Sequence, residues 1–212
     1  MKEIRLHARA GHGMVTGAEL IALAANHEGK YSQAFPFFGS EKRGPPVEAY
    51  CRIDEKPISI HEEIAEPDVV IVGDPSIMDA VDVCKGLKPN GIVIVNSVKK
   101  PEELGLRAKR VFTFPATDVA LKHFGKPIYN TVMLGAFCKV TDIVKIESVK
   151  WAIKESFAKK FPQAIVDSNV AAVQDVYDQM KVEKVEVKPA VSASKAKSAH
   201  SPAKKSSGAK KK

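Results

Sequence analysis

Asp68–Asn96 reads DVVIVGDPSIMDAVDVCKGLKPNGIVIVN, and this stretch decides the fold class. Its two ends, Asp68–Gly73 and Gly91–Asn96, are short continuous apolar runs. A strand with one face in water alternates apolar and polar residues, whereas a strand covered on both faces does not. Both runs are therefore expected to be covered strands. Ser76–Gly86 between them carries a helix-like pattern, so the whole stretch predicts a β-α-β unit.

Working outward toward the C-terminus, Arg110–Pro115 (RVFTFP) repeats the strand theme. Helices are expected over Thr117–Phe124, Asn130–Lys139, Ser148–Lys159 and Asn169–Met180. Toward the N-terminus, Glu3–Arg9 is a strand candidate that ends in a glycine-bearing turn, Ala10–Gly13. Met14, Ala18, Ile21 and Ala25 then recur at helical spacing, giving a helix over Met14–His27 with Gly29 as its C-cap. Tyr31–Phe38 is an aromatic strand candidate interrupted by Pro36, Gly39–Pro46 a polar loop, and Val47–Asp54 a further strand. Strands alternating with helices predict an α/β fold: an open, mostly parallel, doubly wound (Rossmann-like) sheet with helices on both faces.

The 212 residues suffice for one domain and a tail. The formal charge of +8 is misleading until it is located. Eight lysines and no acid lie between Lys188 and Lys212, so residues 1–187 are neutral in sum. A Lys/Ser/Ala-rich segment without aromatics cannot bury enough surface to offset its ordering entropy. The domain is expected over residues 1–181, with a disordered tail over 182–212. The tail's basicity implies no specific nucleic-acid partner. No run of eighteen apolar residues occurs and MKEIRLHARAG lacks a signal-peptide core, so the expectation is a cytoplasmic protein with no membrane partner.

The chemistry-bearing patterns are sparse. Ala8-Arg9-Ala10-Gly11-His12-Gly13 invites a dinucleotide reading, but a Rossmann fingerprint needs glycine where Ala8 and Ala10 stand. Two readings stay open for this turn: an anion site built on a helix N-terminus, or a tight turn with no ligand. The six histidines show no metal-ligand spacing, and no nucleophile elbow or P-loop occurs, so neither metal-binding nor catalytic residues are assigned. Cys51, Cys84 and Cys138 are far apart, and an iron–sulfur cluster of the ferredoxin type needs four thiolates. Phe35, Phe37 and Phe38 lie beside a compact loop with Glu41, Arg43 and Gly44. Core aromatics with a solvated loop, and a surface that packs on another chain, are equally open readings.

Taken together, these segments resemble the gamma subunit of pyruvate and other 2-oxoacid:ferredoxin oxidoreductases. That family's first turn is of the type G-R-G-G-Q-G-V-V-T, matched here by Ala8–Thr16 with Ala8, Ala10 and His12 as departures. Glu28-Gly29-Lys30-Tyr31, Gln33–Pro36, Gly39, Glu41, Arg43 and Gly44 match a second block, in which Lys42 departs from the usual arginine. Asn130–Gly135 (NTVMLG) matches a third without change, and a late helix opening at Asn169 fits as well. The blocks fall in the family order across residues 3–180.

The resemblance implies a division of labour. Thiamine diphosphate, Mg²⁺ and the iron–sulfur clusters would sit on partner subunits, namely alpha, beta and delta, with ferredoxin taking the electrons. This chain would serve as scaffold and help to hold coenzyme A, with Arg9, Gly11, His12, Gly13 and Asn130 as its contacts. It would not be catalytic in isolation. Pyruvate is the substrate expected of the complex; 2-oxoglutarate or a branched 2-oxoacid, or a free-standing binding module with a basic tail, are the alternatives.

Overall fold

The computed structural model of the protein describes residues 1–37 and 46–182. Strand β1 (Lys2–Arg9) leads into helix α1 (Met14–His27), followed by β2 (Tyr31–Phe37) and β3 (Pro46–Asp54). The second half supplies β4 (Val69–Val72), β5 (Ile92–Asn96) and β6 (Arg110–Phe114). Among the described residues four helices follow: α2 (Ala116–Phe124), α3 (Val132–Thr141), α4 (Ile146–Phe157) and α5 (Gln163–Gln179). The strands form one sheet in the order β2-β3-β1-β4-β5-β6. β1 is its seam, with Leu6 opposite Ala49 on antiparallel β3 and opposite Ile71 on parallel β4. The β4–β5 and β5–β6 pairs are parallel and β2–β3 is antiparallel. The predicted α/β class and mostly parallel open sheet are what the chain adopts.

Side-chain alternation sorts each strand onto two faces. Ile4, Leu6, Ile71, Ile92 and Ile94 share one core with residues of all five α-helices. Val70, Val72, Val93, Val95 and Val111 face the other way, beneath Ile77, Val83 and Ala108. Helices do lie on both faces, but unequally. Among the described residues, the second face has two short 3₁₀ helices, Pro75–Asp79 and Pro101–Leu104, and the turns around them.

That asymmetry corrects the reading of Ser76–Gly86 as a helix. Asp74 caps Pro75–Asp79 by accepting from Ser76 N (2.9 Å), and Asp82 accepts from Cys84 N (3.1 Å). Carboxylates that satisfy nearby N–H groups offer the backbone an alternative to the α-helix, and a succession of tight turns results. Asn169 is a second correction: it lies inside α5, which opens at Gln163 behind Pro162. Thr131 Oγ1 donates to Asn169 Oδ1 (2.7 Å), so this buried asparagine ties α5 to the start of α3.

The Gly29 expectation is met one position further out. Glu28 is the C-cap of α1, and Gly29 follows at φ 80°. Lys30 N reaches Ala25 O and Gly29 N reaches Asn26 O, the paired bonds of a Schellman ending. Glu28 then accepts from Lys145 N (2.7 Å), and Lys30 Nζ donates to Glu28 (2.9 Å) and to Ile143 O (2.8 Å). The Glu-Gly-Lys triplet thus fastens α1 to the α3–α4 connection. Helix α5 lies over α3, and Gly135 sets the distance: a β-carbon there would stand 2.4 Å from Val173 O.

On the side away from the α-helices, β1 and β3 carry buried polar groups. Arg5 donates to Ile64 O (3.3 Å), Val83 O (3.1 Å) and Lys85 O (2.6 Å), clasping two loop segments onto the sheet. Its Nε donates to His7 Nε2 (3.0 Å), which leaves His7 neutral with its proton on Nδ1. Burial lowers the His7 pKa to about 4, against the pull of Glu48 and with the push of Arg5. Arg52 donates to Glu3 (3.1 Å), Ile60 O (3.4 Å) and Glu63 O (3.3 Å), holding the rest of that loop. No helix among the described residues is long and apolar enough to cross a membrane. The Lys-rich stretch, expected to be a disordered tail, lies outside the described residues after Val182.

Candidate functional site

In open α/β sheets the place to look is the crevice at the carboxyl ends of the parallel strands, where the strand order reverses. Here the reversal falls at β1, so the crevice lies between the ends of β1 and β4. Arg9 is the last residue of β1. The chain then turns through Gly11 (φ 88°) and Gly13 (φ 72°), with His12 N donating to Arg9 O (3.2 Å). Gly13 is the N-cap of α1 and has no side chain to offer. The first-turn N–H groups of α1 therefore face the crevice mouth without a capping side chain, next to the positive end of the helix dipole.

The end of β4 supplies the opposing wall. Asp74 Oδ2 stands 3.4 Å from Arg9 Nε and 3.7 Å from His12 Nδ1. Arg9 Nε also donates to Ser76 Oγ (3.1 Å). The loop before α3 supplies the floor. Tyr129 OH is hydrogen-bonded to His12 Nδ1, with the two rings edge to face at 5.6 Å. Asn130 Nδ2 donates to Gly13 O (3.1 Å), and its buried Oδ1 has no partner among the described residues. Only the NH₂ end can face a carbonyl, so the orientation of this amide is fixed. Asn96 joins the ends of β4 and β5 to α2, donating to Gly73 O (2.9 Å) and accepting from Thr117 N (3.1 Å).

All five residues expected to meet a ligand are thus gathered at one place: Arg9, Gly11, His12, Gly13 and Asn130. The alanines that break the fingerprint cost nothing, because Asp142 is the one non-glycine residue with positive φ among those described. Ala8 and Ala10 need no glycine. The site is less cationic than a bare reading of Arg9 implies, since Asp74 neutralises it. Burial, with the Asp74 charge added, raises the Tyr129 pKa and keeps the phenol protonated as a donor. Asp74, Ser76 and Tyr129 escaped the sequence reading. The signal was there: Asp-Pro after a covered strand marks a capped turn, and Tyr129 directly precedes the NTVMLG block.

A cleft of about 750 Å³ opens beside this site, between the two 3₁₀ helices. Ser76, Asp79, Asp82, Ser97, Lys99 and Arg107 line it, with both charge signs represented. Phe35 and Phe37 lie on the loop-covered side of the sheet, with ring centroids 5.3 and 6.2 Å from Tyr50. The Arg52 guanidinium sits 5.6 Å over the Phe35 ring. Phe37 is 40% exposed, so these aromatics are not wholly absorbed in the core. Register places Phe37 beside Glu48 and Glu48 beside His7, at the same end of the sheet as the crevice. Phe38, Glu41, Arg43 and Gly44 lie outside the described residues.

The cysteines do not fit an iron–sulfur cluster. Cys51 and Cys138 are buried in the helix-side core, and Cys84 lies on the opposite side of the sheet. Burial raises all three thiol pKa values, that of Cys84 to about 11. Among the described residues, no group of three or more His, Cys, Asp or Glu side chains is placed to hold a metal ion.

Residues 3–179 match the family model described as pyruvate ferredoxin/flavodoxin oxidoreductase. The pyruvate/ketoisovalerate oxidoreductases common subunit gamma of Pyrococcus furiosus is 50% identical over 186 residues, covering 86% of this chain and 98% of that one. The pyruvate synthase subunit PorC of Methanocaldococcus jannaschii is 47% identical over 180 residues, covering 85% and 97%. The crystal structure of the pyruvate oxidoreductase subunit PORC of Thermotoga maritima superposes with a TM-score of 0.74 at 38% identity, covering 85% and 97%.

Proposed function

This chain belongs to the pyruvate ferredoxin/flavodoxin oxidoreductase family, and from that premise we propose that it is the gamma subunit of a 2-oxoacid:ferredoxin oxidoreductase whose substrate is pyruvate. The observation that carries the reading is the 50% identity to a gamma subunit along 98% of that relative's length. In such a complex pyruvate and coenzyme A become acetyl-coenzyme A and carbon dioxide, and two electrons pass to ferredoxin. Thiamine diphosphate with Mg²⁺ supplies the decarboxylation chemistry and iron–sulfur clusters carry the electrons. We assign those groups to the alpha, beta and delta partners. What supports assigning the clusters elsewhere is the placement of the thiols: Cys51 and Cys138 are buried in the helix-side core and the half-buried Cys84 lies across the sheet from them.

The role of this chain's own residues is to bind and orient. The β1–β4 crevice is assigned to coenzyme A. The first turn of α1 and Arg9 supply donors for its phosphates, and Asn130 Oδ1 supplies an acceptor for an amide N–H of its pantetheine arm. Phe35 and Phe37, with Phe38, Glu41, Arg43 and Gly44 beyond them, are assigned to the contact with partner subunits. We place the complex in the cytoplasm and confine the domain to residues 1–181. A chain ending at Val187 is expected to assemble as the full one does.

The test is reconstitution. Purified alone, the chain is expected to oxidise no 2-oxoacid; combined with its partner subunits it should restore turnover of pyruvate. Turnover by the chain alone, or native purification without chromophoric partners, refutes the subunit reading. In the assembled complex, Arg9→Ala and Gly13→Val should raise the KM for coenzyme A about tenfold with little change for pyruvate. Equal effects on both substrates would make the turn scaffold only. The Pyrococcus relative is named for ketoisovalerate as well as pyruvate, which favours a second reading: a gamma subunit shared with a branched-chain complex. Assay of the native complexes against pyruvate, 2-oxoglutarate and 2-ketoisovalerate separates the two.

A further inference from the structure

We propose that Glu48 and Phe37 form a half-built ion-pair site that receives an arginine side chain of a partner subunit. The inference rests on the assignment of the β2 aromatics to the subunit contact and names the chemistry they meet there. Its template lies on the same strands. Arg52 holds its guanidinium 5.6 Å over the Phe35 ring and donates from Nε to Glu3 (3.1 Å), so aromatic, cation and carboxylate form one stack. Glu48, Tyr50 and Arg52 alternate with the helix-facing Ala49, Cys51 and Ile53, which puts them on the loop-covered side of the sheet. Nearer the crevice, the same side carries the aromatic and the carboxylate of a second stack. Phe37 and Glu48 stand directly opposite each other on β2 and β3. Their guanidinium is missing: among the described residues, the group paired with Glu48 across a charge contact is His7, which is neutral.

The carboxylate is aimed in advance. Tyr50 OH donates to Glu48 Oε2 (2.6 Å), and His7 Nδ1 stands 3.6 Å from Oε1. Arg5 Nε donates to His7 Nε2 (3.0 Å), so the imidazole keeps its proton on Nδ1, the nitrogen nearest Glu48. That N–H is buried and has no hydrogen-bond partner among the described residues. Glu48 is thus the acceptor toward which both a phenol and an imidazole are turned. Tyr50 and His7 are buried, so they approach from the inside, and the outer lone pairs of the carboxylate stay open. The Glu48 side chain is 27% exposed, and the exposed Phe37 ring lies beside it. A guanidinium suits both groups, because its plane stacks on an aromatic face and its N–H fork matches a carboxylate. An ammonium has neither the plane nor the fork. A partner closing over this spot removes water from the pair, the condition in which a hydrogen-bonded charge contact adds most to affinity.

The full chain, titrated into the partner subunits with pyruvate turnover as readout, tests the site. Glu48→Gln keeps the shape and removes the charge; it should raise the half-saturating chain concentration about thirtyfold, with maximal turnover and the KM for coenzyme A unchanged. Phe37→Leu keeps an apolar contact without a π face and should raise it about fivefold, whereas Phe37→Tyr should restore it. The exposed Phe37 gives a variant that does not depend on the fold tolerating the first. In the double variant the two losses should not multiply, because both groups hold one guanidinium. A dicarbonyl reagent selective for arginine, read by mass spectrometry, then identifies the occupant. One arginine of a partner subunit should be shielded in the wild-type complex and reactive in the Glu48→Gln complex. Equal half-saturation for the wild type and both single variants, or no arginine whose shielding depends on Glu48, overturns the proposal. Arg43 of this chain as the shielded residue overturns it too, since the site would then be filled from within. No turnover with the wild-type chain refutes the subunit reading itself, and this inference with it.

Discussion

Gly13→Ala puts the geometry of the crevice to a quantitative test. Gly13 sits at φ 72°, where an L side chain costs about 1 kcal/mol. Its new β-carbon would stand 2.6 Å from Asn130 Nδ2 and 3.1 Å from Cγ, closer than packed atoms approach. Asn130 must swing away, losing the 3.1 Å bond to Gly13 O, which contributes about 1 kcal/mol. At 7% exposure the displaced amide meets little water, adding about 1 kcal/mol more. The single variant should therefore lose about 3 kcal/mol. Asn130→Ala alone forfeits the bond and leaves a small gap, about 1.5 kcal/mol. In the double variant no amide remains to be displaced, so the loss should be about 2.5 kcal/mol rather than the additive 4.5. Urea unfolding of the four proteins, compared through midpoint and slope, reads this coupling of about 2 kcal/mol directly. Losses that add to within about 0.5 kcal/mol would refute the claimed contact.

His7 binds its proton near pH 6.5 when unfolded and near 4 when folded, so the unfolded chain takes up more protons between those values. The stability tied to the neutral ring is whole above pH 6.5 and drains as pH falls toward 4, by about 3 kcal/mol at most; His7→Gln should flatten that slope in urea titrations. Arg5→Met leaves the Ile64, Val83 and Lys85 carbonyls without their shared donor and should cost about 3 kcal/mol in the same assay, a loss under about 1 kcal/mol counting against the clasp. Gly135→Ala should gain about 1 kcal/mol of helix propensity and lose about 2–3 to the 2.4 Å approach of Val173 O, lowering Tm by a few degrees; an unchanged or higher Tm would show that α5 moves aside freely.

The elements most legible in the sequence were those whose pattern reports burial on one or both sides. DVVIVG, GIVIVN and RVFTFP are read as covered strands and are covered strands. Met14–His27 is read and found at identical bounds, because a glycine turn precedes it and a Schellman glycine follows. Ser76–Gly86 failed for a physical reason: Ile77 and Val83 must be buried in either conformation, so apolar spacing could not separate a helix from capped turns. The opening of α5 was missed because Ile165 is exposed and the first turn has no continuous apolar face. In the candidate site, the chain-local residues Arg9–Gly13 were legible as a turn. Asp74 and Tyr129 come from 60 or more residues away, and pairing at that separation leaves no trace in local composition.

The unequal covering of the sheet has a consequence for how the molecule breathes. One side is shielded by α-helices with α5 stacked outside them; the other is closed by loops that hold on through Arg5 and Arg52. Opening the thin side disturbs a few hydrogen bonds, while opening the thick side dismantles the main core. Deuterium should therefore enter the protein from one side, with the amides of residues 55–67 and 75–91 exchanging long before those of α3. A subunit resting on the loops would complete a third layer, and its arrival would be read as slowed exchange in segments it does not need to touch.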